Sequence, residues 1–234
     1  MSVLSSVITI DGPGGSGKGT VGQRLAWKFG WEFLDSGAMY RLVGLSALNK
    51  SIDFSDTATI VELARHLDAQ FAVHEGESGA EGITLLEDVD VTHAIRTEKC
   101  AQAASKVAQI PDVRGALLER QRAFRVPPGL VADGRDMGTV VFADAQLKVF
   151  LTASAEIRAE RRYKQLKSKC DDVSLSAILA EIQSRDDRDM NRSVSPLVPA
   201  DDAIVLDTTE MSVDDVEKKV LQLAKNIFQD LVIK

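Results

Sequence analysis

Residues 7–20 read VITIDGPGGSGKGT, and few architectures accommodate that order of residues. Val7 to Ile10 is a compact β-branched run, the pattern of a strand buried on both faces. Gly12 to Lys18 carries the spacing G-x-x-x-x-G-K, and Val21, Leu25, Ala26 and Phe29 then recur at helical spacing. A helix therefore opens near Gly17. Strand, glycine loop and helix in this order let backbone N–H groups curl around a polyphosphate. The helix N-terminus adds its positive dipole end, and the lysine reaches the outer phosphates. The expected nucleoside-triphosphate cradle is Gly12, Pro13, Gly14, Gly15, Ser16, Gly17, Lys18, Gly19 and Thr20. One position departs from the familiar pattern. Residue 19 is glycine where Ser or Thr is usual, and the hydroxyl stands one place later, at Thr20.

Such a loop belongs in an alternating α/β chain, and the remaining segments read that way. Glu32–Asp35, Leu130–Asp133, Leu147–Thr152 and Ala203–Asp207 are short apolar strands. Helical spacing follows over Ser36–Asn49, Ser55–His66 (capped by Ser55 or Asp56), Thr97–Phe124 with a restart at Pro111, Ala155–Leu166, Leu175–Asp189 and Val213–Leu231. Five strands alternating with helices predict a five-stranded parallel, doubly wound sheet. The stretch AQFAVHEGESGAEGITLLEDVDV breaks this texture with period-two segments around a glycine-rich loop, and reads as a small antiparallel insert. Ligands of such sheets lie beyond the carboxyl ends of the strands. That edge would carry the glycine loop, Asp35, Asp133 and Asp207, the last as a structural strand end.

The chain has 234 residues, enough for one domain with a substantial core. No apolar run approaches bilayer-crossing length, and the N-terminus shows no basic segment or cleavage pattern. Cys100 and Cys170 have no metal-ligand spacing and are expected to be reduced thiols of a cytoplasmic protein. A net charge of −7 argues against coating nucleic acid. Eleven of the fifteen arginines nevertheless fall between Arg114 and Arg192. Arginine's planar fork suits phosphate and carboxylate, so this asymmetry predicts a focused anion site.

Three further stretches could furnish it. In LDSGAMYR, Ser36 and Gly37 read either as a helix cap or as a binding turn, and Arg41 as a ligand or a solvated side chain. In ADGRDMG, Asp133 sits where phosphate-loop enzymes place an acid that organises magnesium; Arg135 and Asp136 follow in what is either a polar turn or a site. In SRDDRDMNR, Arg185, Arg188, Asp189 and Arg192 share one helical face if the helix persists that far, with cation in excess for an ordinary ion-pair ladder. His66, His74 and His93 are scattered and suggest no triad.

GPGGSGKGT, LDSGAMYR, IRTEKCAQAASKVAQIPDVR, ADGRDMGTVVF and RDDRDMNRSVSPLVPA together resemble the bacterial cytidylate, or (d)CMP, kinase family nearly end to end. The resemblance implies a P-loop kinase with a core (1–66, 108–154 and 173–234), a monophosphate-binding insert (67–107) and a lid (155–172). It implies transfer of the terminal phosphoryl group of ATP, with magnesium, to CMP or dCMP by a cytoplasmic monomer without nucleic-acid or membrane partners. On that resemblance Lys18 and Arg188 attend the transferring group, and lid residues Arg158, Arg161 and Arg162 supply one or more arms swinging over the phosphates. Ser36, Arg41, Arg135 and Arg192 are expected at the CMP phosphate, Ser105, Arg114 and Asp136 at cytosine, and Arg185 and Asp189 at the sugar. Magnesium would be held mostly through phosphate and water, assisted by Thr20 or Ser16 and by Asp133. Two rivals remain at this point. Another small-molecule kinase (for UMP, AMP, dTMP or shikimate) would share the loop but lack the Arg114 and Asp136 readers, and a GTP-operated switch would need an N-K-x-D that is absent.

Overall fold

The computed structural model describes residues 5–76, 79–167, 174–192, 194–228, 231 and 233. β1 (Ser6–Asp11) runs into the glycine loop and α1 (Lys18–Phe29); β2 (Glu32–Asp35) leads to α2 (Ser36–Asn49) and α3 (Thr57–Arg65). The hairpin β3 (Ala69–Gly76) and β4 (Gly79–Leu86), with the short β5 (Val89–Asp90), precedes α4 (Glu98–Val107) and α5 (Pro111–Arg122). β6 (Gly129–Gly134) enters a π-helical turn at Met137–Val141, then come β7 (Leu147–Thr152), α6 (Ala155–Lys167), α7 (Leu175–Met190), β8 (Ile204–Asp207) and α8 (Val213–Ile227).

The main sheet is parallel, in the order β2-β6-β1-β7-β8. β1 lies at its centre, and Val7, Ile8 and Ile10 are fully buried. Period-two geometry sends Val7 to one face, with Met39, Leu42, Leu117 and Leu130. Ile8 and Ile10 go to the other, with Leu25, Phe33, Leu151 and Val220. The register pairs Ile10 with Asp133, Asp11 with Gly134, and Asp35 with Asp133. Glycine loop, α2 start and Asp133–Asp136 therefore issue side by side from one edge, as the alternating pattern requires.

The insert is three-stranded and antiparallel, β3-β4-β5, and it is seated on the core. A Cβ at Gly82 would stand 2.4 Å from Gln23 of α1, and Phe71 stacks on Phe124 at 5.6 Å. One boundary differs appreciably from the sequence reading. α8 stops at Ile227, although apolar spacing runs on to Leu231, because Phe228 leaves the helix to pack edge-on against Trp31 at 5.3 Å. α7 ends at Met190, one residue past the expected Asp189, so the helix does not persist to Arg192, which lies beyond it. Among the described residues no helix is long and apolar enough to cross a membrane. Cys170 and positions 168–172 of the expected lid lie outside the described residues.

Candidate active site

The glycine loop is shaped by its neighbours. Gly12 has φ 147°, and a Cβ there would sit 2.0 Å from the Leu151 carbonyl oxygen, so the loop leaves β1 in contact with the backbone of β7. At Gly19 a Cβ would come within 3.1 Å of Asp133 Oδ2. A Ser or Thr at position 19 would thus crowd the Asp133 carboxylate near the end of β6. The Lys18 ammonium donates to the Pro13 carbonyl at 3.2 Å and lies 3.8 Å from Asp133 Oδ1. Burial drives this pair toward neutrality, pushing the Asp133 carboxyl up and the Lys18 ammonium down, the latter aided by Arg135. Ser16 Oγ is buried and has no hydrogen-bond partner, while Thr20 is exposed on the first turn of α1.

Beside this loop opens a cavity of about 870 Å³. It brings together Ser36 and Arg41 of α2, Ser105 of α4, Arg114 of α5, Arg135 and Asp136 after β6, Arg185, Arg188 and Asp189 of α7, and Arg192 just beyond it. Every acceptor-site residue expected from the sequence, and Arg188 with them, lines this one space. The insert's contribution is α4 alone; none of the lining residues comes from its three strands.

Several lining groups hold one another. Arg114 Nη2 donates to Asp136 Oδ2 at 2.5 Å, with the guanidinium over the Tyr40 ring at 5.7 Å. Arg135 Nε donates to Asp189 at 2.9 Å, and Arg188 Nη1 to Ser105 Oγ at 3.0 Å. Arg41 Nη1 donates to the Ile95 carbonyl at 2.7 Å, and Ser36 Oγ to Gln121 Oε1 at 2.7 Å. Cation still exceeds anion. Arg192 Nη2 is buried without a hydrogen bond. Burial and Arg135 together lower the Arg185 guanidinium to about 10. A Cβ at Gly14 would be 3.5 Å from Arg135 Nη2 and 3.8 Å from Arg185 Nη1. These two guanidinium groups therefore stand where the phosphate loop meets the cavity, and their mutual repulsion is relieved by an anion placed between them.

The three arginines of α6 are placed otherwise. Arg158 is 4% exposed and almost saturated: Nε donates to Ala153 O (2.9 Å), Nη1 to Gly14 O (3.1 Å) and to Asp186 Oδ1 (3.0 Å), and Nη2 to Asp186 Oδ2 (2.5 Å). It fastens the phosphate loop to α7 instead of hanging free as an arm. Arg161 donates to the carbonyls of Thr208 (2.5 Å) and Met211 (3.3 Å) in the β8–α8 connection. Arg162 is exposed. None of the three lines the cavity.

The profile of one protein family, described as Cytidylate kinase, matches residues 8–226. The chain belongs to the cytidylate kinase family. A cytidylate kinase of Shewanella loihica is 53% identical over 234 residues, covering 100% of both chains. That of Pseudomonas savastanoi pv. phaseolicola is 58% identical over 221 residues, 94% of this chain and 96% of its own.

For this member of the cytidylate kinase family, sequence reasoning missed Asp11, Gln121 and Asp186. Asp11 accepts hydrogen bonds from the backbone N–H groups of Met137 (2.9 Å) and Gly138 (2.8 Å). Gln121 lies under the cavity floor between Ser36 and Tyr40, whose hydroxyl burial pushes up to about 12. Asp186 holds Arg158 from twenty-eight residues away. An acid closing an apolar strand was the one visible signal for Asp11. Gln121 and Asp186 had none, because their partners are remote in sequence.

Proposed function

We propose that this chain transfers the terminal phosphoryl group of ATP to CMP or dCMP, giving ADP and CDP or dCDP. ATP, the co-substrate of this kinase family, lies with its phosphates on the glycine loop, and the acceptor occupies the cavity. The observation that carries the reading is the junction at Gly14, where Arg135 and Arg185 reach the phosphate loop from the acceptor side. Donor and acceptor phosphates can meet there.

Phosphoryl transfer depends on alignment and on neutralising charge spread over the moving group. An acceptor phosphate oxygen bonds to the γ-phosphorus as the bond to the β,γ-bridging oxygen breaks, and the electron pair leaves with ADP. Lys18, Arg188 and Arg135 balance the charge, and so does Arg185, which the resemblance assigned to the sugar but whose Nη1 would lie 3.8 Å from a Cβ at Gly14 of the phosphate loop. Arg41, Ser36 and Arg192 hold the acceptor phosphate, with Ser36 exchanging its Gln121 partner for a phosphate oxygen. Asp189, beside Arg185, faces the sugar. Asp136 accepts from cytosine N4 while Arg114 donates to N3 or O2, a pairing that uracil inverts. Arg158 acts through the loop that it fastens. The segment 67–107 serves as the acceptor insert through α4.

Magnesium fits this donor set. Ser16 Oγ is an orphaned buried hydroxyl within the loop, and Asp133 offers a carboxylate. No group of three metal-ligating side chains occurs among the described residues, so these two residues, with Thr20, would hold the ion largely through water and phosphate. Bound there, magnesium supplies further charge neutralisation on the phosphates. A monomeric, cytoplasmic enzyme without nucleic-acid or membrane partners is in keeping with the net charge of −7 and with arginines gathered around the acceptor cavity.

The test is a panel of CMP, dCMP, UMP, AMP and dTMP in a coupled ADP assay. ADP formed rapidly with CMP or dCMP, and almost none without acceptor, is the expected result. Acceptor-independent turnover, strict GTP dependence or preference for another acceptor overturns the reading.

A further inference from the structure

Asp11 ends β1 one residue before the phosphate loop, is 5% exposed, and takes no part in the chemistry described above. Its two oxygens receive the first two N–H groups of the Met137–Val141 turn, Oδ1 from Met137 and Oδ2 from Gly138. An acid at the position preceding such a turn ordinarily receives the N–H of its second or third residue, here Gly138 or Thr139. Here that position is Asp136, and its side chain makes no cap. Its carboxylate instead meets Arg114 in the cavity. The turn is pressed onto β1, since a Cβ at Gly138 would lie 2.9 Å from Thr9 Oγ1 and 3.3 Å from Asp11 Oδ2.

We propose that Asp11 is a positioning residue for acceptor recognition: it caps this turn in place of Asp136, and so leaves the Asp136 carboxylate and the Arg135 guanidinium free to face the acceptor. The proposal rests on the acceptor assignment given above. It joins the two substrates mechanically. The residue that leads into the ATP loop also sets the loop that reads the acceptor, so neither can shift along β1 without the other. With Asp11 removed, the orphaned Gly138 N–H stands at the position a capping side chain reaches, and Asp136 would turn out of the cavity to cap its own turn.

The experiment measures kcat/KM for CMP and UMP, and KM for ATP, in wild type, Asp11→Asn, Asp136→Ala and the double variant. An amide has one acceptor oxygen where the carboxylate has two, so Asp11→Asn orphans one N–H group. Loss of one such bond to a charged group predicts a fall of about tenfold or more in kcat/KM for CMP. The CMP:UMP ratio should fall as well, ATP KM should stay within about twofold, and the double variant should lose no more selectivity than Asp136→Ala. Gly138→Ala, which pushes the turn off Asp11 while keeping the carboxylate, should shift the ratio in the same direction; it replaces Asp11→Asn if that variant does not fold. Equal losses for CMP and UMP, an ATP KM rising with that of CMP, or additive selectivity losses overturn the proposal. The acceptor assignment fails separately, when Asp136→Ala keeps the wild-type ratio. A raised CMP KM in Asp11→Asn then supports positioning through Arg135, and an unchanged one overturns it.

Discussion

Replacing Asp136 by alanine separates base reading from mere support of the turn. The Asp136 side chain is 8% exposed and its Arg114 partner 12%, with 2.5 Å between them. In the complex, cytosine N4 would share this carboxylate. A hydrogen bond to a charged group contributes about 1.5–3 kcal/mol, so kcat/KM for CMP should fall about 10- to 150-fold, at 1.4 kcal/mol per factor of ten. UMP gains no such bond, and its O4 is relieved of facing a carboxylate, so its kcat/KM should change by less than about threefold. Selectivity then narrows by one to two orders of magnitude, inside the roughly 10⁴-fold ceiling of a mismatched polar site. The variant also leaves the Arg114 guanidinium buried over Tyr40 without its anion. Breaking a buried pair costs about 3–5 kcal/mol, and at about 2–4 °C per kcal/mol for a chain of this size Tm should drop by roughly 6–20 °C. Assays therefore belong well below that transition, at saturating MgATP, with both acceptors measured on one preparation. Equal fold-losses for CMP and UMP would refute base reading by Asp136 and leave it a structural role; no loss for either acceptor would remove cytosine from this end of the cavity.

Lys18→Ala should lower kcat by at least about a hundredfold with a smaller change in ATP binding, as for loss of one well-placed electrostatic donor; near-normal single-turnover rates in folded protein would exclude it from the chemistry. Asp186→Ala should destabilise by about 3–5 kcal/mol because Arg158 is left charged and buried, and Arg158→Met in that background should recover most of the loss; additive losses by denaturant unfolding would mean that the two do not form one unit. Burial holds the Asp11 carboxyl at about 6, against 3.8 in an unfolded chain. Folding therefore takes up a proton in that window, and this group's penalty is absent below about pH 4, grows as pH rises, and is complete above about pH 6, at about 3 kcal/mol for two units. The stability of Asp11→Asn relative to wild type should accordingly improve by about 1–2 kcal/mol between pH 5 and pH 8; a difference that does not vary with pH would contradict it.

Residues whose meaning is periodic were legible in the sequence. Val7–Ile10 and Leu147–Leu151 announce buried strands, and G-x-x-x-x-G-K between a strand and a helix announces the phosphate loop. The cavity's arginines were legible as a cluster because family motifs carried them, and the fold then gathered them on one edge. Pairings across the chain were hidden. In SRDDRDMNR the i, i+3, i+4, i+7 face draws attention to Arg185 and Asp189, while Asp186 points elsewhere and meets an arginine in another helix. Arg158 and Arg161 looked like free arms because spacing counts charges and cannot see the carbonyls of Gly14 and Thr208. Gly19 looked like a lost hydroxyl until Asp133 was found against it. Phe228 kept helical spacing without staying helical, since contact with Trp31 outweighed one more turn.

The cations that crowd the phosphate-loop end of the cavity also bear on how long the chain survives. Arg135, Arg185 and Lys18 repel one another in a desolvated space, so the ligand-free protein is its own least stable form. Any anion that binds there stabilises the fold by mass action, by about 2.7 kcal/mol at a hundred times its dissociation constant. Acceptor supply thus becomes a determinant of abundance: when the nucleotide pool runs low, more of the population opens, and proteases meet the enzyme when it has least work to do.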